Sequence, residues 1–150
     1  MDTINIRITM NEWGEFDLFL TIGDQSMKIY LSWGCFSFEH FIAWLKTVDS
    51  GNKAESYSID EEGPDKELIA EPSGGSGLIT FLVIDPYADE TTIFIQSVWT
   101  KTQFISAFKG GILSFFMHEF VPEDFIGYSC ESEPHLGERI LADPWLQNEP

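Results

Sequence analysis

Apolar and polar residues alternate from the start of the chain. Ile4, Ile6, Ile8 and Met10 point one way and Asn5, Arg7 and Thr9 the other, the period of a strand with one solvated face. After a turn at Asn11 to Gly14 the pattern returns with Phe16, Leu18, Leu20 and Ile22. Gly23-Asp24 fits a tight hairpin turn, and Met27, Ile29, Leu31 and Trp33 alternate behind it. Three strands joined by such short turns predict an antiparallel meander.

The period then lengthens. Phe38, Phe41, Ile42, Leu45 and Val48 follow a spacing that places them on one side of a helix over Ser37 to Asp49. Ser37 is the expected N-cap, since its hydroxyl can accept from an orphan N–H of the first turn. Gly51 is expected to close the helix in a left-handed conformation. A helix with one apolar face needs an apolar sheet face to cover.

Strand patterning resumes at Ala54 to Ile59, turns at the charged Asp60 to Pro64, and pairs back through Glu67 to Glu71. Pro72 to Gly77 reads as a flexible connection too short to separate two domains. Leu78 to Ile84 is almost continuously apolar, which predicts a central strand covered on both faces. In the strand from Thr91 to Trp99, Ile93, Ile95 and Ser97 are expected to alternate against Phe94 and Val98. A second helix is predicted from Thr100 to Phe120, opened by a capping box of Thr100 with Gln103. Gly110-Gly111 inside it costs roughly 1 kcal/mol per glycine relative to Ala. Either the helix breaks there or the glycines let another backbone pass closely, and close packing is the expectation. Val121-Pro122 ends the helix, and residues 121–150 form an acidic, turn-rich segment with a short helix near Glu138 to Leu141. The predicted class is α+β: one mainly antiparallel sheet of six to seven strands with two principal helices packed on it, in a single domain spanning 1–150.

Charge narrows the partners. Twenty-five acidic residues face eight Lys and Arg, a formal net charge of -17. Direct nucleic-acid binding and an anionic membrane surface are disfavoured, because both need cations. A basic protein partner is favoured and would be steered electrostatically, although acidity by itself also serves solubility. No apolar run approaches the roughly 18 residues of a membrane span. The first residues lack a basic stretch followed by an apolar core, so no signal peptide is expected. Cys35 and Cys130 have no motif spacing and are expected to stay thiols in a reducing cytoplasm, with a disulfide between them as the alternative.

Catalytic chemistry finds little footing. His40, His118 and His135 are scattered, and His118-Glu119 lacks a second histidine at helical spacing, so no metal site is expected. Cys35 with a histidine would make a nucleophile pair, but an acidic surrounding opposes thiolate formation. Gly74 to Gly77 is not followed by the Lys of a phosphate loop. No cofactor is implied, and an enzyme is the least supported reading. What stands out is an acidic stretch of Asp60, Glu61, Glu62, Asp65, Glu67 and Glu71 against Lys66 alone, flanked by Tyr57 and Tyr87. The tail adds Glu123, Asp124, Glu131 and Glu133 beside Tyr128. Carboxylates accept bidentate bonds from a partner's Arg, and Tyr is a frequent interface anchor, so these residues form the candidate partner-binding set.

The strand meander, the Phe-rich helix carrying Trp44-Leu45, and the following Ile59-Asp-Glu-Glu-Gly-Pro64 resemble small acidic immunity proteins of bacterial contact-dependent growth inhibition and related polymorphic toxin systems. The resemblance covers roughly the first half of the chain and transfers no residue role. It implies an α+β cytoplasmic antitoxin, not an enzyme, that binds a cognate toxin domain, often a basic nuclease, and blocks its active site or substrate groove. Two alternatives share the acidity or the fold: a nucleic-acid mimic that inhibits a DNA-binding enzyme, and a small-molecule-binding module with a pocket between the second helix and the sheet.

Overall fold

A computed structural model describes residues 3–32, 36–63, 65–73, 75–87, 90, 92–126 and 135–148. Cys35, Cys130, Trp33 and Tyr128, and with them Glu131 and Glu133 of the candidate set, lie outside the described residues. The class is α+β, but the seven strands divide into two antiparallel sheets. β1 (Ile4–Met10), β2 (Phe16–Ile22) and β3 (Gln25–Leu31) form the first, in that order. β4 (Glu55–Asp60), β5 (Asp65–Pro72), β6 (Leu78–Asp85) and β7 (Thr92–Thr100) form the second. A single sheet was expected, and the division falls where α1 (Phe38–Ser50) interrupts the run of hairpins. Each sheet is a meander because every connection within it is a short turn.

Both sheets turn their apolar faces to one core. Ile6, Ile8, Phe16, Leu18, Leu20, Ile22, Ile29 and Leu31 line the first, and Ile59, Leu68, Ala70, Ile79, Phe81, Val83, Ile95 and Trp99 the second. α1 contributes Phe38, Phe41, Ile42, Trp44, Leu45 and Val48, and Ser37 caps it by accepting from His40 N–H. Gly51 does close α1, its N–H donating to Thr47 O at 2.9 Å, but with a φ of -99° rather than in the left-handed region. α2 (Lys101–Ser114) carries the expected capping box of Thr100 and Gln103. It does not break at the glycines. It continues instead into one wider π turn over Phe115–Glu119, closed by Phe120 N–H donating to Phe115 O.

The two glycines of α2 do different things. A Cβ on Gly111 would stand 2.7 Å from the carbonyl oxygen of Ile6, so this glycine is where α2 lies against β1. A Cβ on Gly110 would meet nothing within 4 Å. The expectation of close packing therefore holds for Gly111 alone.

Residues 135–148 fold back over the helices as α3 (Leu136–Leu141) and α4 (Pro144–Gln147). Lys46 pairs with Asp143 at 2.7 Å, and Trp145 Nε1 donates to Asp49 Oδ2 at 2.9 Å. Lys109, buried in α2, donates to Asn148 O at 3.1 Å beneath the Trp145 ring. Among the described residues no helix is long and apolar enough to cross a membrane.

Two departures from the sequence pattern lie in the second sheet. β6 was expected to be covered on both faces, yet Leu82 and Ile84 on its outer face are only half-buried, because both principal helices lie on the inner side. In β7 the alternation fails: Val83 pairs with Ile95 but Ile84 pairs with Ile93, so Phe94 is the extra residue of a bulge. The bulge turns Ile93 outward, half exposed.

The glycine pair gives opposite outcomes on substitution. Gly110→Ala is expected to stabilise the fold by up to about 1 kcal/mol through helix propensity. Gly111→Ala is expected to destabilise it, by about 1–3 kcal/mol, because β1 must move. Urea denaturation of both variants checks this, and equal effects of one sign would contradict the assignment.

Candidate functional site: an acidic corner of the second sheet

The turn between β4 and β5 and the turn after β6 meet at one end of the second sheet. Ile59 faces the core, so Asp60 points outward, and register sets it directly opposite Asp65. Glu67 follows on the same outer face. Two carboxylates opposite one another on a strand pair repel, a local cost. The turn adds a second cost: Glu62 has a φ of 62°, the left-handed region a non-glycine residue enters reluctantly, with its N–H donating to Asp60 Oδ1 at 2.8 Å.

Tyr87 joins these acids from the other turn. Its side chain is 77% exposed, and its backbone N–H is held by Asp85 Oδ1 at 2.9 Å. A hydrogen bond to Asp65, reinforced by the negative charges of Asp65, Asp60 and Glu67, pushes the phenol above its ordinary value. Asp60, Asp65, Glu67 and Tyr87 of the candidate set are thus brought together, although Tyr87 stands some twenty residues further along the chain. Glu62 is exposed in the same turn, but its charge acts on Tyr30 of the first sheet.

Other members lie elsewhere. Tyr57 faces inward, ringed by Phe36, Phe41 and Trp44, and its hydroxyl reaches Ser37 O at 3.5 Å. Burial pushes its phenol up to about 12. Glu61 also turns in: its side chain is 9% exposed, one oxygen accepts from Tyr30 N–H at 3.0 Å and the other pairs with Lys66 at 2.5 Å. It ties the β4–β5 turn to the first sheet. Glu71 is exposed on the same sheet face as Glu67, four residues or about 13 Å away along the strand. Glu123 and Asp124 are exposed on a 3-10 turn beside Gly14 of the first sheet, apart from the corner. Nothing in local sequence separates Glu61 from its neighbours. The only available signal was the isolated Lys66 five residues on.

A groove of about 380 Å³ lies between β1 and α2, the place a small-molecule pocket between the second helix and the sheet would take. Its lining mixes Ile4, Ile6 and Ile8 with Asn5, Ser106 and the Arg7–Glu119 ion pair, which is 3.0 Å long. Among the described residues no three His, Cys, Asp or Glu side chains are grouped to hold a metal ion. No protein-family model, curated protein or solved structure matches the chain.

If the corner is maintained for a purpose other than folding, relieving it should stabilise the protein. Asp65→Asn and Glu62→Gly are each expected to gain about 0.2–1 kcal/mol in urea denaturation; a loss in both would show that the corner serves the fold. Tyr57 sets an alkaline limit. An unfolded phenol ionises near 10, so this contribution is intact below pH 10 and is lost as pH rises towards 12. Melting temperatures across that window should fall less steeply in Tyr57→Phe than in the parent chain.

Proposed function

We propose that the protein is an immunity protein that neutralises a cognate bacterial toxin domain, a basic nuclease, by occupying its nucleic-acid groove. The observation that carries this reading is the acidic corner, with the outward acids Asp60, Asp65 and Glu67 around an exposed tyrosine. Arg and Lys of a nuclease groove present cations to phosphates, and clustered carboxylates offer the same cations bidentate partners. The net charge of -17 speeds encounter with such a surface. Asp60, Asp65 and Glu67 gather at one corner around Tyr87, while Glu123 and Asp124 lie apart from them; a compact cluster favours a toxin-specific contact over general mimicry of a nucleic-acid backbone. Cytoplasmic action fits an antitoxin that protects the cell producing it.

The test is affinity capture from the cells that make the protein, washed first at low and then at high salt. The expected result is one basic toxin domain in near-stoichiometric amount. Its association rate should fall at least about tenfold between about 50 and 500 mM salt. Substituting Asp65→Asn with Glu67→Gln should slow association more than it speeds dissociation. Recovery of a host DNA- or RNA-processing enzyme would replace this reading with the mimic, and association insensitive to salt would remove the charge-based mechanism.

A further inference from the structure

Beside the acidic corner, the outer face of the second sheet carries aliphatic side chains. Alternation and register place Ile69 next to Leu82, and Ile84 next to Ile93, with Val98 beyond Thr80. Ile93 and Val98 are 50% and 48% exposed, and Ile69, Leu82 and Ile84 are half-buried. No described helix lies on this side. The bulge at Phe94 adds Ile93 to the patch, where unbroken alternation would have sent it to the core.

The charges around this patch have one sign. Asp60, Asp65, Glu67 and Glu71 hold outward positions, and no lysine or arginine of the four strands does. The sheet's single cation, Lys66, faces in to Glu61. The first sheet is different: its outward positions hold Arg7 and Lys28 with Asp17 among polar residues, and Phe19 is its one outward apolar side chain. One sheet thus has an ordinary solvated face, and the other an aliphatic centre, interrupted by Thr80 and Gln96, whose charged rim residues are all acidic. That is the division found in protein interfaces, where apolar contacts at the centre supply most of the affinity and rim charges supply rate and selectivity.

We infer that the outer face of the second sheet is the docking surface, and that it receives a basic protein surface presenting aliphatic or aromatic side chains ringed by Lys and Arg. This rests on the reading of the protein as a binder of a basic toxin and adds where the toxin sits and what it presents. A second copy of the chain fits poorly, since stacking two such faces sets eight carboxylates against one another without a cation.

The purified full-length chain, carrying a photo-crosslinking amino acid at Val98 or, in a second preparation, at Thr21 on the first sheet, is added to extract of the cells that make it, and the products are identified by mass. The inference expects a basic protein cross-linked from Val98 and not from Thr21. With that protein purified, Ile93→Glu combined with Val98→Glu should weaken binding at least about 100-fold, while Thr21→Glu should leave it within about threefold and both variants should keep the parental circular dichroism. A basic partner cross-linked from Thr21 alone would overturn the docking surface and leave the antitoxin reading standing. Cross-linking from Val98 to a second copy, to an acidic protein or to nucleic acid would overturn the inference. No product from either position would overturn both it and the reading on which it rests.

Discussion

The two sheets pair no strand with one another, so they are held together mainly by what fills the space between them, and here that filling is aromatic. Phe16 of the first sheet packs on Phe38 of α1 and on Phe115 at the end of α2, with ring centroids 5.4 and 5.2 Å apart. Phe81 of the second sheet packs on Phe104 of α2 at 5.2 Å, and Phe41 of α1 meets Phe108 of α2 at 5.8 Å. Most of these pairs stand edge to face, the arrangement that adds about 0.5–1.5 kcal/mol to simple area burial. Each sheet on its own would expose a whole apolar face. The relation of the first sheet to the second, and so the direction in which the acidic corner points, follows from how these rings interlock. The Glu61 tether from the β4–β5 turn to Tyr30 and Lys66 then fixes that relation at one edge.

Legibility in the sequence followed the range of the interactions involved. Strand alternation in the first sheet, the Ser37 cap and the Thr100–Gln103 box are local, and each appears in the structure as expected. The partition into two sheets is not local. Two hairpins before a helix and three after it satisfy the same pattern whether or not β3 pairs with a later strand, because pairing of distant edges leaves no mark in the period of either one. The bulge at Phe94 escaped for a related reason: one inserted residue shifts phase, and the run Ile93, Phe94, Ile95 is apolar in either phase. Gly110 and Gly111 look alike in sequence, and only the proximity of Ile6 O distinguishes them.

The candidate site was legible as a stretch and not as a set of directions. Alternation alone could have separated inward from outward residues in β4 and β5, and it does place Tyr57 with Ile59 on the core side. In the turn itself, period two no longer applies. There Glu61 follows its ion pair inward while Glu62 stays out, so neighbouring acids acquire opposite roles. Tyr87 joined Asp65 through the adjacency of two turns at one end of a sheet, which follows from the order β4-β5-β6-β7 and from nothing in the sequence near either residue.

The second sheet's outer face poses an energetic question that the fold alone does not answer. An exposed aliphatic row on a sheet invites pairing and aggregation, and proteins usually interrupt such rows with lysine. This sheet's only lysine is turned inward, and the row is guarded by carboxylates alone. Acids repel other copies of a chain with a net charge of -17 as effectively as lysines would in a basic one. They do so at distances near the Debye length, about 8–10 Å at physiological salt. The aliphatic centre acts only at contact, where water is excluded. Under the proposed function, a guard of one sign would sort encounters before contact is made, turning like-charged surfaces away and drawing a basic surface to the patch. The features that cost the fold locally, the opposed Asp60 and Asp65 and the uncovered Ile93 and Val98, are the two components such a selective contact requires.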